Sequence, residues 1–164
     1  MVRVWLEGAL PGAGNDPVSF KGPMKEVADY MLGSLRENFV QGGRPETWAP
    51  LKSGEASFLR QSGRLFQSLA MESGEHWAEA GPADFPFAAI LHFGGVINHP
   101  GSKKFQAWMS GGEWVFAQGT KAHQIPMPAR PYVMFQTEDF DTISAMLARG
   151  MLKTFLAPKP IERT

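Results

Sequence analysis

Apolar residues recur at spacings of three and four from Met24 to Phe39, through Val27, Ala28, Met31, Leu32 and Leu35. That period is helical and makes one continuous apolar stripe, with Lys25, Glu26, Asp29, Arg36 and Glu37 off it. Pro23 suits a first turn and the Gly42-Gly43 pair suits a stop, so a helix is predicted over about 23–40. A second stripe of Phe140, Ile143, Met146, Leu147, Met151 and Phe155 predicts a helix over about 138–156. It has a Thr137 cap, acidic Glu138, Asp139 and Asp141 in the first turn, and Lys153 in the last. Two amphipathic helices near opposite ends of a chain need a common surface to cover.

The stretches between them supply that surface. "VRVWLE" at 2–7 reads as a strand, followed by a turn-rich loop over 8–17. "GRLFQSLAMESGEHWAEAG" reads as a hairpin turning at Ser73-Gly74, with a helix over 62–70 as the competing period. Pro86 to Phe93 reads as a short helix stopped by Gly94-Gly95. "EWVFAQG" reads as a strand, and "KAHQIPMP" begins another. Residues 44–63 have no sustained period and are expected as an ordered loop, anchored by Trp48 and Leu51, with a helical turn over 55–60. Residues 96–112, rich in glycine and lysine, are expected as a long loop excursion. Loops of more than about 12 residues are usually functional or mobile. Residues 157–164 are expected as a flexible polar tail. The expected class is α+β, one domain over 1–164, with two helices on a small antiparallel sheet and long ordered loops.

Composition narrows the function classes. The chain has 164 residues, with 16 basic and 16 acidic side chains, so it is no overall basic nucleic-acid binder. It has no cysteine, which excludes disulfides and thiolate metal sites. No stretch approaches the roughly 20 apolar residues of a membrane span, and the opening "MVRVWLEGAL" reads as no signal peptide. His76, His92, His99 and His123 fall in no metal-ligand spacing. "PGAGNDP" lacks the Lys-Ser/Thr of a phosphate loop, and Ser62, Ser68 and Ser73 sit in no nucleophile elbow. No catalytic, cofactor or metal site is expected. The competing reading is a small ligand-binding or enzymatic domain that uses His92, with the 96–112 loop as a lid.

"IPMPARPYVMF", at 125–135, sets Arg130 among Pro126, Pro128 and Pro131. Prolines hold such a segment rigid without a full hydrogen-bond ladder. Arg130 is then presented at a fixed angle, its planar fork open to a carboxylate or to backbone carbonyls. It either reaches a neighbouring subunit or braces its own loop. Tyr132 to Phe135 lead back to the core.

Four segments occur in order: "RPETWAPL", "LRQSGRLFQSL", "FAAILHFGG" and "IPMPARPYVMF". Their order resembles the virion morphogenesis (tail-completion) family of Mu-like and P2-like tailed bacteriophages. Trp48, Pro50 and Leu51 match its first motif, and Leu59, Gly63 and Leu65 its second. Phe87, Ala88 and His92 match the third, with Phe93-Gly94 one residue tighter than the family spacing. Pro128, Arg130, Pro131 and Tyr132 match the fourth. The resemblance spans about residues 20–157 and leaves out 96–112. It implies a structural protein of the head–tail junction, without enzymatic activity or cofactor, that completes or terminates the tail. Such proteins act as rings, commonly hexameric, among neighbouring neck and tail proteins. They occupy the virion after assembly in the host cytoplasm. On that reading Arg130, Tyr132, Phe105 and Trp108 are expected at the subunit interface. Lys103 and Lys104 are expected to face double-stranded DNA in the lumen, without tight binding.

Overall fold

The computed structural model describes residues 1–5, 19–51, 54 and 59–156, except the side chains at 103, 105–106, 117–118 and 154–155. The expected loop over 8–17, most of the turn over 55–60 and the tail over 157–164 lie outside the described residues. The class is α+β.

Helix α1 runs Lys21–Gln41 and ends at Gly42, whose φ of 71° is left-handed. Its stripe is buried at Met24, Val27, Ala28, Met31, Leu35 and Phe39, with Leu32 half-buried, as the period predicts. Beneath it lies a three-stranded antiparallel sheet of β1 (Val2–Trp5), β2 (Leu69–Ser73) and β3 (Trp77–Pro82), in the order β1-β3-β2. The central strand offers only Ala78 and Ala80 to the helix, and both are fully buried. Val4 and Val2 pair with them across the strand and extend the apolar face. On the other face Arg3 donates to Glu79 at 2.6 Å and lies over the ring of Trp77. Period-2 alternation thus separates a dry face from a charged one.

Helix α4, Thr137–Leu156, packs against α1 through Ile143, Met146, Leu147 and Met151. Phe140, predicted on that stripe, is instead exposed, with its ring edge-on to Phe135. The cap also shifts by one residue. Gln136 donates its backbone N–H to the Asp139 carboxylate at 2.8 Å, which satisfies an orphan donor at the helix start.

The segment over 62–73 resolves into both competing periods. Arg64–Gln67 form a one-turn helix, α2, and β2 follows from Leu69. The turn to β3 occupies 74–76, closed by the Gly74 N–H on the Trp77 carbonyl at 2.8 Å. The next helix, α3, is Ala88–Phe93.

Residues 96–112 are not a loop. After Gly94 the chain enters β4 (Gly95–His99) and β5 (Ser102–Ser110), then returns as β6 (Glu113–Thr120) and β7 (His123–Met127). β4 pairs with β7 and β5 with β6, all antiparallel, making a nested hairpin arm. Gly111-Gly112 is a two-residue turn with φ of 62° and 85° between the paired Ser110 and Glu113. Positive φ at both positions is what such hairpins require, so the glycine pair marks a tight turn. At the arm's root a Cβ on Gly94 would lie 2.7 Å from the Ala129 nitrogen. No described side chain of 94–127 belongs to either apolar core. Pro126 is tolerated within β7 because a two-stranded ribbon leaves every strand an open edge.

Candidate functional site

Three polar residues on α1, Tyr30, Ser34 and Asn38, follow one another at spacings of four beside the apolar stripe, so they share a face. Ser34 and Tyr30 donate to the two oxygens of Asp139 at 2.7 and 2.9 Å. Asn38 donates to the carbonyls of Tyr132 and Met134 at 3.0 and 2.8 Å. Arg44 closes the lattice through Asn38 Oδ1 at 2.7 Å, the Ser34 carbonyl at 2.9 Å and Ser34 Oγ at 2.7 Å. Its guanidinium also lies 3.6 Å from Asp139, and Gln136 donates to the Arg44 carbonyl at 3.0 Å. Burial alone would raise the Asp139 carboxyl. The Gln136 N–H, Ser34, Tyr30 and the Arg44 charge outweigh it and hold the group below its ordinary value.

The four sequence motifs meet at an adjoining cluster of Phe39, Trp48, Leu65, Leu69 and Tyr132. Trp48 stands edge-on to Phe39 at 5.5 Å, and its indole nitrogen is buried with no hydrogen-bond partner among the described residues. Leu51, expected to share the anchoring, is exposed. Tyr132 donates its hydroxyl to the Ala88 carbonyl at 3.0 Å, and burial pushes its pKa up to about 12. His92 accepts the Val133 N–H on Nδ1 at 3.4 Å and stands edge-on to Tyr132. Burial, followed by the charge of the chain's amino terminus, lowers its pKa.

Arg130 is 4% exposed and Tyr132 1%. Arg130 Nε and Nη2 donate to the carbonyls of Ala49 and Pro50 at 3.1 and 3.2 Å, and its own N–H donates to the Leu91 carbonyl. Two donors of the fork are occupied within the subunit, which favours the internal brace over the expected reach of Arg130 and Tyr132 across an interface. The Pro-rich frame aims Arg130 at backbone carbonyls, and the arginine ties the first, third and fourth motifs together. Burial lowers its pKa from a very high ordinary value, so it remains charged.

The other expected interface and lumen residues lie on β5. Trp108 and Lys104 are exposed there, while the side chains of Phe105 and Lys103 lie outside the described residues. Cross-strand register sets Met109 opposite Trp114 and Ala107 opposite Phe116 on one face. Trp108 and Val115 share the other face. Met109, Trp114 and Phe116 are all exposed.

A pocket of about 360 Å³ lies beside His92, lined by apolar side chains and Tyr132. Among the described residues no carboxylate or aliphatic hydroxyl lines it, and the Tyr132 hydroxyl there is engaged by the Ala88 carbonyl. The lid expected over 96–112 is two strands of the arm. His99 and His123 stack across the β4–β7 ribbon with ring centroids 5.0 Å apart. Among the described residues no group of three or more potential metal ligands occurs, and no helix is long and apolar enough to cross a membrane.

The lattice of Ser34, Asn38, Arg44 and Asp139 escaped sequence reading. Its one sequence signal is the polar spacing of four beside the stripe, and polar positions on an amphipathic helix ordinarily face water.

Residues 3–151 match the phage virion morphogenesis family. The chain is also 26% identical over 116 residues to the Mu-like prophage FluMu G protein 2 of Haemophilus influenzae (strain ATCC 51907 / DSM 11121 / KW20 / Rd). That match covers 71% of this chain and 67% of the relative. No solved structure matches significantly.

Proposed function

The chain belongs to the phage virion morphogenesis family, and from that premise we propose that it is a structural protein of the phage head–tail junction. Copies form a closed ring, six by the family resemblance, that completes or terminates the tail and joins it to the DNA-filled head. It works without catalysis, in contact with neighbouring neck and tail proteins, and enters the virion after assembly in the host cytoplasm. The observation that carries the ring is the arm. A two-stranded ribbon is marginal in water by itself, and this one exposes large apolar side chains on both faces. A second subunit supplies the missing cover. Trp108 and Phe105 take part in that contact.

Lys103 and Lys104 lie on the same arm and are assigned to the lumen, where a modest positive ring meets the phosphate backbone without tight binding. Reversing both to Glu should impair DNA delivery while particles still assemble. Normal infectivity of the double variant would refute the lumen assignment. Mass photometry and negative-stain imaging of the purified protein test the ring itself. A strict monomer that is absent from purified particles would contradict it.

A further inference from the structure

We infer that the arm of one copy docks on the body of the next, with the Met109–Trp114 pair near its tip seated in the pocket beside His92. This rests on the ring reading and specifies how the ring is joined. The two surfaces are complementary in kind. The arm presents Met109, Trp114 and Phe116 on one face with no core behind them. The body presents a mostly apolar pocket of about 360 Å³, with Met1 and His92 also at its lining, Phe93 at its edge and Phe87 exposed nearby in sequence. That volume is at the small end of ligand pockets, about 300–1,000 Å³, and suits one or two large side chains.

Charge selects between arm-on-arm and arm-on-body contact. Residues 94–127 carry Lys103, Lys104 and Lys121 against Glu113, a net of +2, and because the chain sums to zero the remainder carries −2. Two arms side by side would bring their lysines together, whereas an arm tip on a body brings Glu113, next to Trp114, toward the charged amino terminus of Met1 at the pocket. Arm-on-body contact is also heterologous, joining different patches of successive copies, and heterologous contacts generate rings when the rotation closes.

The area is of the right order. Trp114 and Phe116 are 63% and 62% exposed. At about 150–250 Å² per aromatic, they leave roughly 190–310 Å² open. Phe87 and Phe93, 61% and 76% exposed, add roughly 200–340 Å² on the same basis. Four rings then supply about two-fifths of a specific interface, which needs roughly 1,000–1,600 Å² in total.

Mass photometry of wild type, Trp114→Glu, Ala89→Trp and an equimolar mixture of the two variants tests the docking. Ala89 is exposed and lines the pocket, so a large side chain there blocks the receptacle without entering the core. Ala89→Asp serves as the second blocking variant should Ala89→Trp melt early. Each variant alone should run as a monomer, with affinity per interface reduced by at least about 30-fold, the loss of one hot-spot residue. The mixture should give a heterodimer and nothing larger, because one arm and one pocket remain intact. Wild-type-sized assemblies of the folded pocket variants, or a mixture that stays monomeric, would overturn the docking and leave the ring standing. A monomeric wild type would overturn both.

Discussion

Asp139 is buried, yet it titrates below the ordinary carboxyl value because the donors around it outweigh the cost of burial. Its ionised form therefore stabilises the fold at every pH above the unfolded value of about 3.9. That contribution fades as pH falls through the lower folded value. Asp139→Asn should cost about 3 kcal/mol at neutral pH, the cost of leaving the Arg44 guanidinium without its buried partner. The gap between variant and wild type should narrow below about pH 4. Urea denaturation across pH measures this, and a gap independent of pH would remove the carboxylate from the account. Arg130→Gln should lower stability by about 2 kcal/mol, because its two carbonyl acceptors lose a charged donor. The loss should appear in the melting curve of the isolated subunit, with rings still forming at low temperature. A variant that melts like wild type but no longer assembles would restore Arg130 to the interface. Sequence reading leaves Arg130 open between these roles, because three prolines specify rigidity but not what the fork meets. The burial of Trp48 and Tyr132 was legible because large aromatics beside prolines need cover. The partners of Asp139 were not, because they are about 100 residues apart in the chain.

The two long helices and β1 were legible because one face of each is dry and the other wet, which leaves a period in the residues. The returning strands of the arm, β6 and β7, were legible too, but β4 and β5 over 96–112 were hidden for the converse reason. With apolar side chains on both faces they have no clean alternation, and the glycine pairs resemble loop punctuation until their φ values show a tight hairpin turn. Phe140 was misplaced because a stripe says which side of a helix is apolar but not how far the neighbouring helix extends to cover it. In hydrogen exchange, the backbone of Ser102–Ser110 and Glu113–Thr120 should exchange quickly in the free subunit. It should be strongly protected in the assembled protein, since the ribbon's stability comes from the contact that covers it. Equal, slow exchange in both states would make the arm a self-sufficient element and remove the main argument for a second copy.

At the scale of the molecule, labour is divided. The motif residues that mark the family are used inside the subunit, where they bind the 44–51 segment, α3 and the 130–136 segment to α1. The β5–β6 ribbon of the arm, which lies outside those motifs, carries the large exposed apolar surface near its tip. A rigid body with a projecting ribbon is a geometry suited to repeated head-to-tail contact, and the zero net charge of the chain suits a protein threaded by DNA without gripping it. The most direct test is a cryo-electron microscopy map of the intact virion neck. The account predicts a closed ring of this chain at the head–tail junction, each arm crossing onto the adjacent subunit near His92. A well-resolved neck with no copy of the chain in it would contradict the central claim.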